Sequence, residues 1–219
     1  MQTQILRYHL LLIMGLFTSI VRKKSLSATD LKDAEALNNE GDALFDQDRF
    51  DEAVAAYQQA IKIYPDYLDA WVSMGAALKN IGKYRKSLKA SNHVLKINPN
   101  NADAWANKAA ALGELGRYAE SLEACEMSLQ NDPGFINALI IKGSVLPYLG
   151  KFEEAIEVYD EIPRIDPHNA DIWNNKGVIL DELGKYEEAI RAYDQALAID
   201  PNNEKARNNR NLALNKINT

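Results

Sequence analysis

Asparagines recur at Asn39, Asn107, Asn175 and Asn209 of the 219-residue chain, separated by 34 residues or by twice that number. A carboxamide offers two N–H donors and a carbonyl acceptor, so it can pair with any peptide unit regardless of sequence. Such a row is suited to holding backbone. Residue types that transform substrates lack the required spacing. The single thiol, Cys125, has no disulfide partner. It stands where Tyr57, Tyr159 and Tyr193 stand at the same spacing, on an apolar stripe, so a packed thiol is expected. His9, His93 and His168 are remote from one another and have no Cys or His at ligand spacing, which argues against a metal centre. Neither a nucleophile elbow, a phosphate loop nor a catalytic carboxylate pair is found. The expectation is therefore no catalytic residue, no metal, no cofactor and no enzymatic activity.

The elements that position the asparagines follow from a wider periodicity. Pro65, Pro99, Pro133, Pro167 and Pro201 stand 34 residues apart. Within each interval an aromatic or leucine (Leu37, Trp71, Trp105, Leu139, Trp173) precedes a small residue (Gly41, Gly75, Ala109, Gly143, Gly177) and a leucine (Leu44, Leu78, Leu112, Leu146, Leu180). Those offsets put all three on one helical face. A second helix opens with a ring at Phe50, Tyr84, Tyr118, Phe152 or Tyr186, followed by a small residue at Ala53, Ser87, Ser121, Ala155 or Ala189. Small residues let two helix backbones approach closely. Gly82, Gly116, Gly150 and Gly184 are expected to stop the first helices in a left-handed turn, with Asp48 as substitute in the first unit. The prolines stop the second helices, because the ring removes a donor and pushes the preceding residue out of helical geometry. After Pro201 a solvating cap helix is expected over about 204–217, with Arg207 and Arg210 at positions that are apolar in the repeats.

A 34-residue helix-turn-helix unit with this pattern resembles the tetratricopeptide repeat, a protein-interaction module. The resemblance covers five units at about 34–67, 68–101, 102–135, 136–169 and 170–203, with the cap after them. It implies an all-α fold, a right-handed α-solenoid (superhelix) of antiparallel helix pairs over 31–219, preceded by an apolar segment and polar linker over 1–30. In that family the first helices line a concave groove that binds peptides or partner elements. Carried onto this pattern, Asn39, Asn107, Asn175 and Asn209 hold equivalent groove positions, interrupted by Ser73 and Ile141. The series is similar to a broken version of the asparagine ladder in the repeat domain of the O-linked N-acetylglucosamine transferase. The clamp by which co-chaperones hold a C-terminal carboxylate needs Lys, Asn and Arg at set places. Asn38, Asp42, Ser73, Asp103 and Asn107 stand there instead, which disfavours a chaperone-tail receptor.

Repeat four departs from the pattern. Ile140, Ile141 and Tyr148 are expected to face the groove where other units carry polar or small residues. Pro147 should kink or shorten the first helix of that unit and Pro163 should shorten the second. Clustered apolar residues in a concavity mark a binding surface. The expected peptide- or partner-binding set is Asn39, Asn107, Asn174, Asn175 and Asn209 together with Ile140, Ile141, Ser144 and Tyr148. Glu35, Asp69, Asp103 and Asp171 are read as the start of each first helix, where a carboxylate gains about 0.3–1 kcal/mol from the helix dipole. A preference for basic ligands is the competing reading. Lys108, Lys142 and Lys176 should bury their stems and keep the ammonium wet.

Of 25 basic and 31 acidic residues, four basic (Arg7, Arg22, Lys23, Lys24) and one acidic (Asp30) precede residue 31, leaving 21 against 30 in the repeats. An array so charged repels phosphate backbones, so nucleic acid is not an expected partner. Leu10 to Val21 is an apolar run of twelve with Arg7 before it and Arg22, Lys23 and Lys24 after it. A full membrane span needs about twenty apolar residues. Residues 5–21 are read as a short or tilted anchor that leaves the repeats in the cytoplasm. A cleaved export signal and an incidental extension are the alternatives. The functional expectation is a non-catalytic scaffold or adaptor that holds a peptide or partner helix in the groove. Two alternatives stay open: a self-associating structural element, and the substrate-recruiting subunit of a separate enzyme.

Overall fold

Each helical stripe needs a partner, and the turn chemistry supplies one every half repeat. The computed structural model describes residues 26–217. Among the described residues the helices are α1 (Ala28–Phe45), α2 (Phe50–Ile63), α3 (Leu68–Asn80), α4 (Tyr84–Ile97), α5 (Ala102–Glu114), α6 (Tyr118–Asn131), α7 (Ile136–Val145), α8 (Phe152–Glu161), α9 (Ala170–Glu182), α10 (Tyr186–Ile199) and α11 (Glu204–Ile217). Each packs on the next in tandem antiparallel pairs, giving a right-handed α-solenoid with no strand among the described residues.

The expected left-handed residues close the first helices. Gly82, Gly116, Gly150 and Gly184 have φ of 70°, 73°, 75° and 72°, and Asp48 has 58°. The following backbone N–H then reaches back to the repeat leucine: Lys83 to the Leu78 carbonyl at 2.8 Å, Arg117 to Leu112 at 2.9 Å, Lys185 to Leu180 at 2.9 Å. The leucine thus supplies both a core side chain and the carbonyl that ends its helix. At the other end of each unit the Trp71 and Trp105 indoles donate to the Pro65 and Pro99 carbonyls at 2.8 and 2.7 Å. Arg207 of the cap makes the same bond to Pro201 at 2.6 Å with its guanidinium. It keeps the staple while facing water.

The start of the array differs from expectation. α1 begins at Ala28, six residues before the first unit, because Ser27 and Asp30 form a reciprocal capping box. The polar linker expected to run to residue 30 is therefore helical from Ala28. Glu35 lies about two turns inside α1 rather than at a helix start. In repeat four the prolines act as expected. α7 ends at Val145 and continues as a 3-10 turn over Leu146–Leu149 with Pro147 near its start. α8 likewise gives way to a 3-10 turn over Ile162–Arg164 at Pro163. Both turns still bury their leading apolar residue, Leu146 and Ile162, in a cluster with Leu139, Tyr159, Ile172 and Ile179.

Residues 5–21 lie outside the described residues. Among the described residues no helix is long and apolar enough to cross a membrane.

Candidate functional site

First helices α1, α3, α5, α7 and α9 form one wall, and three adjoining cavities open on it. The first, about 490 Å³, is lined by Asp42 and Phe45 of α1, Val72 of α3, Asn107 of α5, and Ile140 and Ile141 of α7. The second, about 590 Å³, holds Tyr84, Glu114, Tyr118, Ile141, Ser144 and Tyr148. The third, about 240 Å³, holds Ser144, Tyr148, Tyr159, Asn175 and Glu182. The wall therefore gathers Asn107, Ile140, Ile141, Ser144, Tyr148 and Asn175 of the expected set. Asn39 is exposed on α1 but lines none of these three cavities. Asn174 is buried, and its carbonyl oxygen accepts from the Asn209 amide at 3.0 Å, so it orients its neighbour instead of presenting to the groove.

The ladder positions from residue 73 to residue 175 each stand against a residue on the second helix of the preceding repeat. Where that residue is tyrosine, the ladder residue is polar. Ser73 lines the first cavity beside Tyr57, whose hydroxyl donates to Asp42 at 2.7 Å. Asn175 lines a cavity beside Tyr159, whose hydroxyl donates to the Ile140 carbonyl at 3.4 Å. Where Ser91 replaces the tyrosine, Asn107 reaches past it and donates to the Val72 carbonyl at 3.1 Å. Where Cys125 replaces it, Ile141 packs against the cluster containing the thiol. The interruptions in the series thus sit against the residue opposite them. Each bound amide keeps a second N–H and spare acceptor capacity for a ligand.

Ile140 and Ile141 are half-buried rather than free-standing. Ile140 packs against the Leu139–Tyr159 cluster, and each presents an edge to the groove. Tyr148 is 67% exposed and stacked on Tyr118, with centroids 4.3 Å apart and planes 10° from parallel. The stack fixes an exposed ring without burying it. The groove also holds aromatics outside the expected set, Phe135 and Tyr118 among them. Phe135 is the N-cap of α7 and makes no side-chain cap hydrogen bond, as is also true of Tyr67 and Asn169 at the equivalent places, whereas Asn101 and Asn203 cap their helices through their side chains. A missing cap costs about 0.5–2 kcal/mol, and an aromatic at a capping position was the available signal. Tyr118 was read only as a helix-opening ring.

Lys108 lies over the Trp105 ring at 4.5 Å and Lys176 over Trp173 at 5.6 Å, so stems pack while ammonium groups stay near solvent, as expected. Lys176 also pairs with Asp160. Among the described residues no three His, Cys, Asp or Glu side chains converge as metal ligands. Cys125 is fully buried, and burial pushes its thiol up to about 12. A thiol-reactive maleimide at about pH 8 should therefore label the native protein negligibly and the denatured chain fully; rapid native labelling would refute the packed-thiol assignment. An unfolded thiol ionises near 9.0. The stabilisation from keeping it neutral is complete below that value and is lost as pH rises toward 12. Melting temperature should accordingly fall in that window, less steeply in Cys125→Ala.

The fold and wall define a tandem helical-repeat protein with one concave face. Tetratricopeptide-repeat family models match residues 41–82, 68–101, 102–135, 143–184 and 170–203. The chain belongs to the tetratricopeptide repeat family. No curated protein matches it significantly. Similar solved structures include TTC0263 from Thermus thermophilus, a thermophilic protein of this family, 17% identical over 83% of this chain and 98% of that one, with a TM-score of 0.73. YrrB, described as having an unusual peptide-binding site, is 20% identical over 88% and 96%, with a TM-score of 0.61. MamA from Desulfovibrio magneticus is 18% identical over 82% and 99%, with a TM-score of 0.66. At these identities the likeness concerns the fold.

Proposed function

We propose that the protein is a non-catalytic interaction scaffold whose concave wall holds a peptide or partner helix. The carrying observation is that four successive first helices contribute to one cavity and that repeat four adds an apolar edge and an exposed, stacked Tyr148 to its continuation. An extended ligand can therefore touch several repeats at once. Spare amide valences of Asn107, Asn175 and Asn209 can hold its backbone while Ile141 and Tyr148 receive a side chain. The peptide-binding site named for YrrB supports the same use of this architecture.

The test begins with capture of a partner on the full-length protein and titration of its binding segment. Ile141→Ala with Tyr148→Ala should weaken binding at least about tenfold, with circular dichroism unchanged. Glu188→Ala, on second helix α10, should leave it unaltered. Normal binding by the groove double variant, together with loss on the second-helix change, would move the working surface to the convex side.

A further inference from the structure

We propose that the groove selects linear segments in which a bulky apolar side chain is flanked by lysine or arginine. This rests on the concave reading above and adds the chemistry of the occupant. The first cavity is polarised. Asp42 and Asp46 stand on its α1 side and Asp103 on α5, with Lys79 as the cation among its lining residues. Phe135, Ile140 and Ile141 line the α7 side. Glu35 and Asp69 are exposed on α1 and α3, two of the helices that line the cavity. The Tyr67 hydroxyl is held above its ordinary range first by burial and then by Asp69, Glu35 and Asp42.

Helix stability accounts for only part of this charge. Asp69 and Asp103 sit in first turns, where the dipole favours carboxylates. Glu35 is inside α1, while Asp42 lies in its last turn and Asp46 is its C-cap, where the dipole opposes negative charge. Asp42 is compensated by hydrogen bonds from Tyr57 and Asn38. Asp46 and Asp103 are exposed toward the cavity. The acids are spread over α1, α3 and α5, and among the described residues they form no metal-ligand group. Their spread matches cationic side chains along an extended segment. The apolar edge then fixes register.

The experiment uses full-length protein and three fluorescein-labelled synthetic peptides with a central Phe, flanked by Lys and Arg, by Ser and Gln, or by Asp and Glu. Anisotropy should show the basic peptide binding at least tenfold tighter than the neutral one, and the acidic one weakest. Raising ionic strength from about 0.1 M to about 1 M shortens the Debye length from about 10 to 3 Å and should shrink that gap. Asp46→Asn with Asp103→Asn should weaken the basic peptide several-fold and leave the neutral one within about twofold. Equal binding of basic and neutral peptides, an equal effect of the Asn variant on both, or no binding by any peptide overturns the proposal. Ile141→Ala with Tyr148→Ala separates the two readings. If it weakens all three peptides while charge makes no difference, the groove stands and the basic preference falls. If it changes none of them, the groove reading itself fails.

Discussion

Tyr193→Ala should lower the unfolding free energy by about 3–5 kcal/mol, the range for deleting a buried aromatic side chain. Tyr193 is 1% exposed and sits in a cluster with Leu180, Ala189, Ala192 and Ala213. Ala213 belongs to α11, so the ring joins the last repeat to its cap. Stability in a solenoid is approximately a sum of repeat and nearest-neighbour interface contributions. The loss should therefore be local. Hydrogen exchange should show protection falling across α9, α10 and α11 while α1 to α4 keep theirs. A uniform loss over the whole array would mean that the repeats unfold as one cooperative body.

Most of the architecture is legible in the sequence because it rests on local rules restated every 34 residues. Glycine at a left-handed position, proline after a second helix and a leucine on each first helix each name one backbone event, and each occurs where expected. The early start of α1 was hidden because Ser27 and Asp30 precede the repeating register. The site was less legible than the fold. Whether a ladder asparagine is spare or engaged depends on the residue across from it in the neighbouring repeat, as with Asn107 and Val72. Asn174 and Asn175 are adjacent in sequence, yet one is buried beside Asn209 while the other lines a cavity with Tyr159. Phe135 escaped notice because the repeat pattern specifies helix faces and says little about caps.

The same glycine-to-alanine change should have opposite signs in repeats two and five. In repeat five a Cβ added to Gly177 would meet Tyr193 Cδ1 at 2.7 Å and Cε1 closer still, and the buried ring has no solvent to move into. Overpacking of this kind costs about 1–3 kcal/mol or more. The gain of alanine over glycine in a helix, about 0.8–1 kcal/mol, does not offset a contact so far inside van der Waals range. In repeat two the tyrosine is replaced by Ser91, and a Cβ on Gly75 would lie 3.6 Å from Asn107 and 3.8 Å from Ala90 and Ser91. That is ordinary contact, so the helix preference prevails and Gly75→Ala should stabilise by about 0.5–1 kcal/mol. Repeat three already shows the compensated arrangement, with Ala109 and Cys125 at the equivalent positions, both buried in one cluster. Gly177→Ala should therefore be tolerated once Tyr193 is cysteine. Urea titration of Gly177→Ala, Tyr193→Cys and the double variant should reveal a favourable coupling of at least about 1 kcal/mol, since the two sites touch. Independent, additive effects would show that the ring does not require the glycine, and the pairing of tyrosine with glycine would lose its steric explanation.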